Sequence, residues 1–399
     1  MLVATAGPLR SQESFTAHVA GQAVGALTRV DPVPDGGDLT ELRLVQPALM
    51  ARVSGPARLS LLATLDLEGA TISEGELTAG AWGEGFIDRR HPHTYVHELL
   101  LTADDLLGRI DGATRLSLTA GKGFAPFGTD DPMSRPVLRY PVNHHLAQVL
   151  ERAVVIGAVN HGVVTAEVGL FNGDEPEQPD QWPVVERVGD SWSVRITGRP
   201  ARGLELQASR AHVHSPENRE GAGPDQEKWS LSGRWEGPVG RHPVYGLVEY
   251  AHSSEAEGFF EFSSFLAEGA WKPSRQRLYY RFERTERAEE ERVSRFRTLR
   301  PHQENSILGI TRWTIHTAGW SAVVLDRGGA TVAPLVELSY GRIAEVGNGL
   351  FDVVQTYGEN SFWSWTLGIR LEFGGGPHRM GRYGAALEGE PLHHHGGRP

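Results

Sequence analysis

Residues 362–373 read F-W-S-W-T-L-G-I-R-L-E-F. Trp363, Trp365, Leu367, Ile369, Leu371 and Phe373 share one parity; Ser364, Thr366, Gly368, Arg370 and Glu372 share the other. A strand turns successive side chains to opposite faces, so this segment has one wholly apolar face and one polar face. The apolar face is aromatic at both ends and aliphatic between, the pattern of a lipid-facing strand with two interfacial girdles. It stops at Gly374-Gly375-Gly376. The stretch predicts the closing strand of an all-β outer-membrane barrel.

The rest of the chain is compatible with that constraint. No run of about 18 apolar residues exists, so a helical span is excluded. A mean hydropathy of −0.33 and 39% hydrophobic residues do not count against a membrane barrel, because half of each strand faces a wet lumen. The net charge of −11 argues against a nucleic-acid partner. Cysteine is absent, as suits an oxidising envelope compartment.

Short alternating segments recur from Phe15 onward without a domain linker. Expected strands are 15–30, 40–53 (with a parity slip at Pro47), 58–67, 76–82, 94–103 and 114–120. After an irregular stretch come 154–160, 163–172, 191–197, 204–214, 228–235, 244–252, 260–271, 275–287, 306–326, 331–340 and 362–373. From Gly123 the connections alternate long and short, as outer-membrane barrels arrange outer loops and periplasmic turns. Sixteen strands result if 306–326 is one tilted strand, eighteen if it splits and 15–30 also joins. The competing architecture is a soluble β-sandwich or β-helix with the tryptophans as core.

Three domains of behaviour are expected. Residues 1–14 read as the remnant of a signal peptide or a disordered N-terminus, since Met1–Ala6 is too short for an apolar h-region. Residues 15–373 form the barrel. Residues 374–399, rich in Gly and His, read as a disordered periplasmic tail.

The segment Gly121-Lys122-Gly123-Phe124-Ala125-Pro126-Phe127-Gly128 resembles the G-x-F-x-x-P-F-G stretch of the phosphate-selective porin O and P family. Glu151-Arg152, and Gly169-Leu170-Phe171-Asn172-Gly173-Asp174, are similar to that family's next two landmarks, in the same order. The resemblance implies a sixteen-stranded, trimeric porin with an inward-folded loop, passing small polar solutes, with anions such as phosphate among them. The family's basic pore residues have no residue-by-residue match here, and the acidic balance of the chain works against phosphate.

Loop 128–150 is the expected constriction, carrying Asp130, Asp131, Arg135, Arg139, His144 and His145. A pore selects ions by fixed charge at its narrowest point, where low-dielectric walls strengthen the field. Lumen-parity arginines Arg115, Arg195, Arg234, Arg277, Arg281 and Arg370 form a second candidate, a ladder for anions. Inward Glu167, Glu249, Glu283, Glu337 and Glu372 could equally neutralise it.

Other chemistry is less well supported. His91-Pro92-His93, His144-His145, His212 with His214, and His393–His395 invite a metal-binding or metal-exporting reading. They lack a fixed site spacing, so no metal or other cofactor is expected. A hydrolase would need a nucleophile and base. His97, His252 and His316 lie on strands and Ser253-Ser254 follows His252, but no catalytic motif is present, so no enzyme is expected.

Overall fold

The computed structural model describes residues 15–34, 36–68, 93–106, 114–142, 144–176, 178–294, 297–298, 307–347, 349–375 and 379–387. Alternation along the chain becomes a closed antiparallel barrel of sixteen strands, with a short continuation of one of them. In order these are β1 (Thr16–Asp31), β2 (Leu39–Ser54), β3 (Leu59–Asp66), β4 (Val96–Ala103), β5 (Thr114–Gly123), β6 (Arg152–His161), β7 (Val164–Phe171) and β8 (Ser191–Ala201). They continue with β9 (Leu204–Val213), β10 (Gln226–Val239), β11 (His242–Glu255), β12 (Phe260–Trp271), β13 (Gln276–Glu290), β14 (Ile307–Ala322), β15 (Ala330–Val346) and β16 (Ser361–Phe373). Each pairs with its sequence neighbours, and β1 closes the ring against β16 from Gly21 opposite Phe373 to Asp31 opposite Trp363.

The expected count of sixteen is reached by a different route. Segment 15–30 is part of the ring, as the strand that β16 closes upon. Segment 306–326 is β14, whose continuation Leu325–Arg327 still pairs with β15. The expected strand 76–82 lies outside the described residues, and β3 pairs directly with β4, which leaves no place in the sheet between them. The parity slip at Pro47 is a bulge. Gln22 faces Ala48 while Val24 faces Val45, so Gln46 and Pro47 together oppose one residue of β1. Gln46 takes a positive φ of 51° to make it.

Connections after odd-numbered strands are mostly long (67–95, 124–151, 172–190, 214–225, 291–306, 347–360), and those after even-numbered strands are mostly tight (162–163, 202–203, 240–241, 272–275). The chain therefore enters β1 and leaves β16 at the short-turn end.

Outward positions are apolar and exposed. Trp363, Trp365, Leu367, Ile369, Leu371 and Phe373 all face out, as do Leu61, Leu101, Val168, Ile196 and Leu231. Their inward neighbours are polar and buried, including Thr317, Glu337, Ser364 and Thr366. A sandwich would reverse this, hiding the tryptophans. With every strand edge paired and its outer face apolar, the barrel is a membrane-spanning structure, and the outer membrane is its place. We expect Leu367→Arg, at the middle of β16, to cost about 2–4 kcal/mol in reversible folding into lipid vesicles, the range for a charge near the bilayer midplane. The inward, conservative Thr366→Ser should cost far less by the same measurement.

Candidate functional site

The lumen is the site, and two pieces of chain occupy it. The first is residues 124–151, which contain the expected loop 128–150 and run inward from β5 and back to β6. Its apolar side chains pack inside the barrel: Phe124, Phe127, Met133, Val149 and Leu150 are buried in one cluster with Leu62, Ile156, Phe171 and Val213. Its backbone is tied to walls on every side. Gly128 N–H donates to Ser209 Oγ at 3.0 Å. Leu138 N–H donates to Glu337 at 2.6 Å and Val142 N–H to Glu283 at 2.8 Å. Gln22 and Gln46 donate to the carbonyls of Met133 and Leu138 at 3.3 and 3.2 Å. Gly128 has a φ of +64°, and an added Cβ would meet the Ala147 carbonyl oxygen at 1.7 Å. The loop closes on itself there, and glycine permits it.

The second piece was not expected inside. Residues 379–387, assigned from sequence to a periplasmic tail, lie within the lumen along β4–β9. The correction has a physical reason: their charges and polar atoms find partners on the wall. Arg379 is bidentate to Asp130, at 2.7 and 2.8 Å, and also reaches Glu205 at 2.8 Å. Arg382 donates to Glu205 and Thr197, each at 3.1 Å, and to Gln207. Tyr383 donates to Glu98 at 2.8 Å and accepts from Phe124 N–H at 3.0 Å. Ala385 N–H donates to Ser117 Oγ at 2.8 Å.

The expected site residues therefore divide among partners. Asp130 is the hub of the second piece, shared by Arg379, Arg234 and Arg382. Burial alone would push its carboxyl up, but those three guanidinium groups outweigh it and hold the carboxyl well below the usual range. Arg135 turns back onto its own loop, donating to the Asp130 carbonyl at 2.7 Å and Thr129 at 2.6 Å. Arg139 lies over the Phe362 ring at 5.6 Å, and its carbonyl accepts from Arg281 at 2.6 Å. Asp131 lies 3.7 Å from His144, and His145 is 3.5 Å from Glu175.

The ladder arginines are mostly neutralised. Arg195 is bidentate to Glu167, both contacts at 2.6 Å. Arg281 meets Glu268 at 2.7 Å, Arg115 meets Asp105 at 3.2 Å, Arg234 meets Glu236 at 2.9 Å and Arg370 lies 3.6 Å from Glu372. Arg277 carries no ion pair among the described residues.

A third constellation gathers where β3, β4 and the inward loop meet. Asp66, Glu68, His93, His97 and Glu151 are all buried there. His93 Nδ1 lies 3.3 Å from both Asp66 and Glu68. Burial favours its neutral ring, but the two carboxylates outweigh this and raise its pKa well above the ordinary histidine value. The H-x-x-x-H spacing of His93 and His97 was visible in the sequence. Its meaning was not, because Asp66 and Glu151 arrive from distant segments.

The enzyme alternative finds no geometry in the outward histidines. His316 bonds the Tyr280 hydroxyl at 2.6 Å on the exposed face, and His252 sits beside Trp229 with ring centroids 5.7 Å apart. Ser253 is buried inward, on the other side of the wall from His252. His212 bonds Glu227 at 2.8 Å and lies 3.6 Å from Asp225, which also meets His214 at 2.6 Å.

The fold has clear counterparts. It superposes on an anion-selective porin from Comamonas acidovorans with TM-score 0.52 and 11% identity, covering 90% of this chain and all of that one. This is the fold of outer-membrane porins. OmpF of Salmonella typhi, solved with daunomycin, gives TM-score 0.51 at 11% identity, and the outer membrane channel DcaP of Acinetobacter baumannii gives 0.50 at 10%; each covers 90% of this chain and 97% of its own. No protein-family model and no curated protein matches the sequence. The phosphate-selective resemblance thus reduces to a porin fold.

The tail contacts can be tested in a chain that lacks native cysteine. Ala385→Cys should resist an added thiol reagent in the otherwise unaltered barrel. It should react once Arg379→Ala and Arg382→Ala are introduced together, read as labelled fraction by mass spectrometry.

Proposed function

We propose that this barrel is a passive diffusion channel for small polar solutes, its bore set by loop 124–151 and narrowed further by residues 379–387. The observation that carries the reading is the interior itself. The inner wall of the sixteen-stranded ring is largely polar and carries ion pairs, the buried Arg195–Glu167 and Arg281–Glu268 and the partly exposed Arg370–Glu372 among them. Such a lining supports water and polar solutes and fixes a transverse field across the passage.

Pairing also bears on selectivity. An anion ladder requires guanidinium groups that are free to take an incoming anion, and carboxylates already occupy most of them here. The channel is accordingly weakly selective, with a slight preference for anions from Arg277 at the short-turn end, and without a phosphate-specific site. In planar bilayers the purified protein should give ohmic steps with a reversal potential near zero in a potassium chloride gradient. Arg379→Ala with Arg382→Ala should enlarge the steps. Absence of any current from folded, membrane-inserted protein would refute the channel reading.

We also propose that the barrel associates with further copies, a trimer being the assembly that the sequence resemblance implies. The support is an asymmetry of the outer face. Exposed aromatics sit on β8–β16, including Trp192, Trp229, Trp271, Trp320 and Trp363. Strands β2–β5 present Leu49, Leu59, Leu61, Leu65, Leu99, Leu101 and Leu118 and no aromatic residue. Lipid-facing walls carry interfacial aromatic girdles, whereas a wall covered by protein needs none. Leu61→Trp should dissociate the oligomer while the barrel still folds, and Leu231→Trp on the opposite wall should not, as read by native mass spectrometry.

A further inference from the structure

We propose that the buried cluster where the end of β3 and the start of β4 meet the inward loop is a binding site for one divalent transition-metal ion of the zinc type, with Asp66, His93 and His97 as protein ligands. Each of the three can offer one ligand atom such that all three atoms lie within 4.8 Å of one another, and all three residues are buried. Tetrahedral zinc with nitrogen and oxygen ligands about 2.0–2.2 Å away needs ligand atoms somewhat closer than that, a gap that small side-chain adjustments close. Two imidazoles and a carboxylate with one open position is a common donor set for such ions.

Three further observations point to a ligand rather than to ordinary packing. The first is that Nε2 of His93 and Nε2 of His97 are both buried and find no hydrogen-bond partner among the described residues. A buried ring nitrogen without a partner is costly, and two in adjacent rings, with centroids 5.0 Å apart, call for something between or beside them.

The second is the supporting shell. His97 Nδ1 lies 2.6 Å from Glu151 Oε1, which leaves Nε2 as the coordinating atom of that ring. Metal-bound histidines commonly give their other nitrogen to a carboxylate in this way, which fixes the tautomer and the ring orientation. Glu151 is itself held, accepting from Thr94 N–H at 2.8 Å and Thr94 Oγ1 at 3.0 Å. Asp66 is oriented by the Glu68 N–H at 2.9 Å.

The third is charge. Four buried acids, Asp66, Glu68, Asp131 and Glu151, face this space, with His144 and Tyr140 completing the wall. Lys122, bonded to Thr94, is the fixed cation at its edge. A bound dication would interact favourably with these carboxylates in a low-dielectric interior. The site sits toward the long-loop end, where a cation arriving from outside would meet it.

The test uses the full chain with His393, His394 and His395 each changed to Ala, so that this triplet cannot bind the probe. Titration of the folded, detergent-purified protein with Zn²⁺ in a calorimeter should show one ion per chain. Co²⁺ should give the intense visible absorption of a four-coordinate site. His97→Ala should weaken Zn²⁺ binding more than tenfold, and Glu151→Gln about tenfold through loss of the orienting carboxylate. Folding of each variant is read from its heat-modifiable gel mobility. No bound Zn²⁺ together with only the faint spectrum of hydrated Co²⁺ would overturn the assignment, as would unchanged affinity in a folded His97→Ala barrel. The Co²⁺ spectrum of the tail-substituted parent decides the matter even if a ligand variant fails to fold.

Discussion

The ring closes where β1 meets β16, and everything else depends on that closure. Hydrocarbon offers no partner for a backbone N–H or carbonyl, so a sheet survives in a bilayer only when no edge remains. Pairing Gly21 with Phe373 and Asp31 with Trp363 removes the last edge. It also sets the side-chain parity of both strands, since a one-residue slip would turn Trp365 and Leu367 into the lumen and Thr366 out to lipid. The apolar belt is therefore a consequence of register as much as of composition.

Closure creates a second demand, this time on the interior. Many ionised groups point inward, and the inward loop and residues 379–387 leave little room for bulk water around them. Isolated charges there would be prohibitive, so they occur as pairs and hubs. Asp130 joins the loop, the β10 wall through Arg234 and the C-terminal segment through Arg379 and Arg382. A barrel built this way uses its arginines for structure. Three of the residues that look from sequence like a solute ladder, Arg195, Arg234 and Arg281, bond the loop itself.

Much of the architecture was legible because strand parity is a local signal. The Trp363–Phe373 face, the hairpin that joins β6 to β7 and the parity slip at Pro47 could each be read within a few residues. The loop was legible from its length and from Gly128, but its pairing was not: Leu138 meets Glu337 and Val142 meets Glu283 across the full width of the lumen. Residues 379–387 were misread because the Gly, Pro and His of residues 374–399 suggest a solvated tail, while the carboxylate partners of Arg379 lie some 175 to 250 positions earlier. Asp66 and Glu151 could not be joined to His93 and His97 from sequence for the same reason.

The uneven girdle has a mechanical consequence. Tryptophan and tyrosine rings at the headgroup level resist vertical displacement, so the β8–β16 half of the wall is pinned to the two interfaces while the leucine-faced half slides with little resistance. A solitary barrel would therefore rock about its pinned side as bilayer thickness changes. Covering the leucine wall with neighbouring copies would leave pinned rings around the whole perimeter and hold the pore axis upright.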